Sequence, residues 1–226
     1  MLMGVLYVAA TPIGNLEDVT LRAIRILKEV DVIFCEDTRV TKKLLDAYEI
    51  QTPVVRLDAH TEKSQSEKVI EFLKEGKNVA YVSDAGTPAI SDPGYRLVDA
   101  VREADFKVEA IPGASSVVAT LSIAGVPADE FVFLGFLPHK KGRQTKLKEI
   151  ADTERTVVLF ESTHRIVRLL EELGEVIGEK KVVVARELTK KFEEVLPGTP
   201  AGILKQLKEV SEKQKGEFVV VIEPKN

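Results

Sequence analysis

Loop residues suited to ligand binding follow a short apolar run in the first half of this 226-residue chain. The run is Val79–Val82, and segment 83–94 after it reads Ser-Asp-Ala-Gly-Thr-Pro-Ala-Ile-Ser-Asp-Pro-Gly. A short run that is apolar on both faces is typical of a buried parallel strand, and ligands of such sheets bind beyond the strands' carboxyl ends. Glycines let a ligand approach the backbone closely, and prolines limit the loop's freedom. An ordinary connection is the alternative, although most have roughly two to six residues. Segment 83–94 is therefore predicted to bind a ligand.

Two further segments follow predicted strands. Thr11–Asn15 comes after Leu6–Ala10, and Glu36–Arg39 comes after Val32–Cys35. Parallel strands end at one edge of a sheet, so we expect these segments to gather with segment 83–94. Three charged residues directly after a buried strand fit a functional site and a solvated capping turn about equally well.

Several classes of chemistry lack their sequence signature here. Neither the Gly-x-Gly-x-x-Gly fingerprint nor the Gly-x-x-x-x-Gly-Lys-Ser/Thr loop is present, which disfavours nicotinamide and nucleoside triphosphate chemistry. His60, His139 and His164 are scattered singly, and Cys35 is the one cysteine. We therefore expect no metal and no intramolecular disulfide.

The composition limits the partners and the compartment. The 32 Lys and Arg residues against 36 Asp and Glu residues give a net charge of −4, which argues against coating nucleic acid through bulk charge. A local basic patch is still possible. No apolar run reaches membrane-spanning length, and the first residues lead into a strand without a basic region or cleavage site, so a cytoplasmic protein without membrane contact is expected.

The elements that must position these loops alternate between strands and helices, which predicts an α/β fold. We expect a domain over residues 1–112 with a mainly parallel sheet, whose last strand, 106–111, lies at an edge. Asp18 and Asp92 are predicted to cap two of its helices, the second running from about Pro93 to Arg102.

A second α/β domain with a mixed sheet is expected over residues 113–226. A helix over 116–124 and the stop signal Gly125–Pro127 mark the junction, and segment 193–196 is a candidate extra strand.

A basic segment lies in this second domain. Lys140, Lys141, Arg143, Lys146 and Lys148 place five positive charges within nine residues. We interpret the segment as a phosphate clamp on a mobile loop, with a solvated helix start as the alternative.

Six segments together resemble the RsmI-type ribosomal RNA methyltransferases of the tetrapyrrole methylase (class III) superfamily of S-adenosylmethionine enzymes. In chain order they are Thr11–Leu16, Glu36–Arg39, Ser83–Gly94, Gly135–Pro138, Glu161–Arg165 and Ala185–Lys190. The resemblance implies two α/β domains with S-adenosylmethionine in the cleft between them. It also implies methylation of a cytidine ribose 2′-hydroxyl in small-subunit ribosomal RNA, within the 30S subunit, by a homodimer. Many relatives continue beyond the point matching Asn226 with a small extra segment.

The resemblance also implies site residues. Those expected to bind the cofactor are Ile13, Gly86, Thr87, Ile90, Ser115, Ser116, Glu161 and Leu188. A sulfonium prefers carboxylates and carbonyls nearby, which makes Asp84 a further candidate, with helix capping as the equal alternative. A ribose hydroxyl must lose its proton as it attacks, and the candidates to assist are Asp37, Glu161, Glu187 and Lys190, each with surface ion pairing as the alternative. The expected RNA contacts are Arg39, Lys140, Lys141 and Arg143.

Other functions stay open at this point. The same fold methylates porphyrin precursors and a modified histidine of elongation factor 2, and a non-catalytic RNA-binding or assembly module is possible. A hydrolase is disfavoured, since no nucleophile elbow or serine–histidine pairing is visible.

Overall fold

The computed structural model describes residues 3–225, which divide into two compact units between Ser115 and Ser116. The domain boundary predicted from the sequence lies after Pro112. In the structure the helix over 116–124 belongs to the second unit.

The first unit is built on a five-stranded parallel sheet with the strand order β3-β2-β4-β1-β5. Its strands are β1 (Val5–Ala9), β2 (Val32–Cys35), β3 (Val54–Arg56), β4 (Val79–Val82) and β5 (Lys107–Ile111). The predicted edge position of the last strand is confirmed, and the two strands before the charged and glycine-rich loops, β2 and β4, lie side by side.

Helices bury both faces of this sheet. They are α1 (Leu21–Glu29), α2 (Thr38–Ala47), α3 (Glu62–Lys74) and α4 (Tyr95–Glu103). Along β2, Ile33 belongs to the core that contains Leu27 of α1, and Phe34 belongs to the core that contains Val69 of α3 and Leu97 of α4. Burial on both sides explains why these strands are continuous apolar runs.

Both predicted helix caps in the first unit are wrong. Asp18 lies in a short 3-10 turn, and the cap of α1 is Thr20, whose hydroxyl accepts a hydrogen bond from the Ala23 amide at 3.1 Å. Helix α4 begins at Tyr95, two residues later than the predicted start at Pro93. The residue before it, Gly94, has a φ of 127°, a conformation that favours glycine.

The second unit contains a mixed sheet, as predicted, with the order β6-β7-β10-β8-β9. The strands are β6 (Phe131–Phe136), β7 (Thr156–Ser162), β8 (Val182–Arg186), β9 (Glu194–Gly198) and β10 (Glu217–Ile222). The pair β6–β7 is parallel and the other pairs are antiparallel. The candidate extra strand at 193–196 is β9.

Four helices complete the second unit: α5 (Ser116–Ala124), α6 (Arg143–Asp152), α7 (Ile166–Ile177) and α8 (Pro200–Glu209). One apolar core joins side chains from α6, α7 and α8 to one face of the sheet. Within residues 3–225, no helix is both long and apolar enough to cross a membrane.

Candidate functional site

Three loops of the first unit are tied together at the carboxyl edge of its sheet. Thr11 and Gly86 exchange backbone hydrogen bonds of 2.9 and 3.1 Å, which joins the loop after β1 to the loop after β4. The Thr87 hydroxyl donates to the Ala114 carbonyl at 3.3 Å, which adds the loop after β5. The structure thus brings segment 83–94 together with the segments around Ile13 and Ser115.

Gly86 lies at the closest approach of these loops. Its φ is +76°, a conformation that favours glycine. A Cβ atom added there would lie 3.3 Å from Cγ2 of Ile13 and 3.7 Å from the Ala114 carbonyl oxygen. Any side chain at position 86 would therefore enter the space between the first and third loops.

The remaining predicted cofactor residues of these loops are accessible to different degrees. Thr87 and Ile90 are exposed, the latter by 46% of its surface, while Ser115 and Ser116 are half-buried. Ala89 and Ser91, on either side of Ile90, have positive φ angles of 68° and 64°. Left-handed backbone at two non-glycine residues costs energy and is common at ligand-binding loops.

A group of carboxyl groups lies at the same edge. One Asp84 oxygen accepts a hydrogen bond from the Asp37 amide at 2.9 Å, which links the ends of β4 and β2. Burial, assisted by repulsion from neighbouring carboxylates, raises the pKa of Asp84 and of Asp92. A cation bound at this edge would relieve the repulsion among these carboxylates, and only one Asp84 oxygen is taken up by the Asp37 amide.

Glu36 is the residue of this edge that the site prediction missed. Burial, followed by repulsion from Asp84, Asp92, Asp58 and Asp37, raises its pKa from 4.5 to about 7. A carboxyl group with a pKa near neutrality can accept and release a proton under physiological conditions. The signal in the sequence was its position, directly after a fully buried strand and next to Asp37.

Asp37 caps a helix, which the sequence offered as the alternative to a functional role for segment 36–39. Its carboxylate caps α2 by accepting a hydrogen bond from the Arg39 amide at 2.8 Å, and it pairs with the Arg39 guanidinium at 2.6 Å. Hydrogen bonds to Arg39 hold the Asp37 pKa well below its usual range. The Arg39 side chain is 88% exposed, which leaves it accessible to a further anion.

The other predicted residues belong to the second unit. The Glu161 side chain is buried, with one oxygen accepting from the Ser162 amide at 2.9 Å and lying 3.3 Å from Nε of Arg165. Among the described residues the other oxygen, Oε2, is buried without a hydrogen-bond partner. A buried carboxylate oxygen without a donor is a position that a ligand N–H or O–H group would satisfy.

Glu187, Leu188 and Lys190 lie just beyond β8. The Lys190 amine contacts Glu187 at 2.9 Å and Glu217 at 2.8 Å. Burial opposes both charges, but these contacts outweigh it, so the pKa of Glu187 falls and that of Lys190 rises. These contacts therefore stabilise the charged forms of both side chains. Leu188, the residue after Glu187, is buried.

The residues of the basic segment differ in their exposure to solvent. Lys140 and Lys141 are exposed, but Arg143 is only 2% exposed and pairs with Glu172 of α7 at 2.6 Å. Its Nη1 also donates to the Pro138 carbonyl at 3.2 Å. This corrects the prediction that Arg143 contacts RNA. Its guanidinium is buried and paired with Glu172, and it links the start of α6 to α7.

Residues 3–225 contain no cluster of three or more His, Cys, Asp or Glu side chains arranged to hold a metal ion.

Comparison with known proteins identifies the family. The model of the tetrapyrrole (corrin/porphyrin) methylases matches residues 5–203, which spans both units. The chain belongs to this family. Its two sheets, one parallel and one mixed, are those of a methylase of this type.

Curated relatives within the tetrapyrrole methylase family match nearly the whole of this chain. A protein of Haemophilus influenzae named ribosomal RNA small subunit methyltransferase I is 45% identical, over 99% of this chain and 80% of its own length. Proteins of the same name are 43% identical in Bacillus subtilis, over 99% and 76%, and 47% identical in Escherichia coli O157:H7, over 97% and 78%. This tetrapyrrole methylase is therefore an enzyme that transfers methyl groups.

Solved structures agree on the fold. A cobalt-precorrin-4 methyltransferase superposes with a TM-score of 0.72 at 19% identity, covering 97% of this chain and 94% of the other. A diphthine synthase superposes with a TM-score of 0.71 at 18% identity, covering 97% and 89%.

Proposed function

We propose that this tetrapyrrole methylase uses S-adenosylmethionine to methylate the ribose 2′-hydroxyl of a cytidine in small-subunit ribosomal RNA. The observation that carries the proposal is the identity of 43–47% over nearly the whole chain with enzymes named ribosomal RNA small subunit methyltransferase I. The solved structures, at 18–19% identity, support the fold without favouring a porphyrin or protein substrate.

The residues at the carboxyl edge of the first sheet fit such a cofactor. A Cβ atom at Gly86 would fill the gap toward Ile13, so the glycine keeps that space open. Exposed Thr87 and Ile90 offer a hydroxyl and an apolar wall, and Asp84 offers carboxylate oxygens that suit a sulfonium. In the second unit, the unpartnered Oε2 of Glu161 suits a ligand N–H or O–H donor. Contacts from Ser115, Ser116 and Leu188 stay predictions.

The cofactor, when bound, supplies a methyl group on an activated leaving group, so the protein's task is alignment, exclusion of water and removal of one proton. Glu36 is suited to accept the proton, because its pKa of about 7 lets it be deprotonated at neutral pH while retaining basicity. Asp37 is less suited, because its bonds to Arg39 lower its pKa. The mutual pairing of Glu187 and Lys190 likewise stabilises their charged forms. Glu161 stays a candidate.

RNA contacts are proposed for Lys140 and Lys141 of the basic segment and for Arg39, all with exposed side chains. Phosphate contacts of this kind position a substrate without reading its sequence. A homodimer would enlarge the basic surface available to a structured RNA.

The deciding experiment is methyl transfer in vitro. Purified protein, labelled S-adenosylmethionine and 30S subunits lacking the modification are incubated, and the RNA is digested and mapped by mass spectrometry. One 2′-O-methylcytidine that appears only with active protein is the expected result. If the label enters a tetrapyrrole or a protein and the RNA stays unlabelled, the substrate is that of another branch of the family. If calorimetry detects no binding of S-adenosylmethionine, an activity that depends on this cofactor is refuted.

A further inference from the structure

Segment 83–94 is held at its far end by a residue from another helix. Glu62, the first residue of α3, is only 3% exposed. Its Oε1 accepts backbone hydrogen bonds from Gly94 at 2.9 Å, Arg96 at 3.1 Å and Leu97 at 3.3 Å. These amides begin α4, where helix geometry leaves N–H groups without partners inside the helix.

Glu62 thus performs the capping function that Gly94 cannot, since glycine has no side chain to accept these bonds. The carboxylate also lies at the start of its own helix α3. The carboxylate therefore lies at the N-terminal ends of two helices, α3 and α4, where amide N–H groups point toward it.

The same anchor reaches the ligand-facing part of the segment. The Pro93 carbonyl, next to Gly94, accepts hydrogen bonds from the Tyr81 hydroxyl at 2.9 Å and from the Ala89 amide at 3.2 Å. Ala89 and Ser91, which flank exposed Ile90, have left-handed backbones that persist only when the surroundings impose them. The position of Ile90 therefore depends on the fixed end at Gly94.

We propose that Glu62 is a positioning residue for the methyl-donor site, which fixes the conformation of segment 83–94 through the start of α4. The proposal rests on the proposed function in one respect, that this segment binds S-adenosylmethionine. Glu62 is buried and its Oε1 is bonded to backbone amides, so it acts through the segment and is not a catalytic residue. It makes the segment rigid before binding, so that the donor need not order it.

The test uses two variants of Glu62 in the full chain. Glu62→Ala removes the acceptor for three amides, and Glu62→Gln keeps a neutral acceptor that forms weaker bonds. We expect the S-adenosylmethionine dissociation constant in calorimetry to rise about tenfold or more in the alanine variant and about two- to threefold in the glutamine variant. The KM for S-adenosylmethionine should rise in the same order, while kcat at saturating donor changes less.

Hydrogen exchange gives a readout that does not depend on activity. Amides 94, 96 and 97 should exchange faster in the glutamine variant and faster still in the alanine variant. The matched control is Asp31→Ala, which removes a carboxylate that accepts a hydrogen bond from the Asn78 amide at 2.7 Å at the opposite edge of the same sheet. This control should increase exchange at Asn78 and leave the donor affinity unchanged.

The outcomes separate this proposal from the proposed function. If the wild-type protein binds no S-adenosylmethionine, the proposed function fails, while exchange at amides 94–97 still tests the anchor. Wild-type donor affinity and wild-type exchange in folded Glu62→Ala overturn the positioning role. Should the alanine variant not fold, Glu62→Gln decides, and wild-type values for both measurements in that variant overturn it equally.

Discussion

Replacing Glu36 by glutamine should make the protein more stable at pH 8 and leave its stability unchanged at pH 4. The Glu36 carboxyl is half-buried at the carboxyl edge of the first sheet, and burial together with nearby carboxylates raises its pKa to about 7. Between pH 4.5, its ordinary pKa, and pH 7, the folded protein binds this proton more tightly than the unfolded chain does. The stability of the wild type therefore decreases as the pH rises through that window.

The size of the effect follows from the pKa. A rise from 4.5 to about 7 corresponds to at most about 3 kcal/mol between the neutral and charged forms. Glu36 is partly exposed, so solvent screening reduces this to about 1–2 kcal/mol at pH 8. For a chain of this length, that is a melting temperature about 3–6 °C higher for Glu36→Gln at pH 8.

The assay is thermal unfolding followed by circular dichroism at pH 4, 5, 6, 7 and 8, with the wild type and Glu36→Gln in parallel. Glu103→Gln, which neutralises an exposed carboxylate at the end of α4, is the control and should show no such pH-dependent gain. Parallel curves of melting temperature against pH for Glu36→Gln and the wild type would refute the raised pKa, and with it the reason for considering Glu36 as proton acceptor. The same variant should lose most methyl transfer while still binding S-adenosylmethionine.

Four further predictions concern the loop at Gly86, the basic segment, the buried Arg143 and the assembly. Gly86→Val should abolish S-adenosylmethionine binding in calorimetry because its side chain enters the gap beside the first loop, whereas Gly178→Val, at another positive φ but in open space, should keep it; equal affinities would remove Gly86 from the site. Lys140→Gln with Lys141→Gln should flatten the salt dependence of RNA binding, measured by filter binding, and an unaltered slope would place the RNA elsewhere. Arg143→Gln should instead destabilise the fold by about 1.5–3 kcal/mol in urea unfolding, since it removes the buried guanidinium's bonds to Glu172 and to the Pro138 carbonyl and leaves Glu172 paired with Arg168 alone, and a loss below about 0.5 kcal/mol would contradict the buried pair. Light scattering should find a homodimer at dilute concentration, and a monomer with full methyltransferase activity would refute the need for a dimer in RNA binding.

The fold and the loops of the site could be predicted from the sequence because they depend on local patterns. Strands β2 and β4 are buried on both faces, so each is a continuous apolar run followed at once by polar residues. Parallel strands with right-handed crossovers then bring the segments that follow them to one edge. The order of motifs identified the family for the same reason: each motif is a short contiguous segment.

What the tertiary structure alone decided concerns pairs that are distant in the sequence. Arg143 looked like one of five equivalent cations, and only the position of Glu172 on α7 shows that its charge is neutralised in the interior. The Asp92–Pro93 cap was a sound local pattern, but Glu62 already satisfies the amides of α4 from 32 residues away. The pKa of Glu36 likewise results from burial and from carboxylates that arrive from other loops. Local sequence determines which residues can be charged or can cap a helix, whereas the partners and solvent exposure that decide each outcome come from packing.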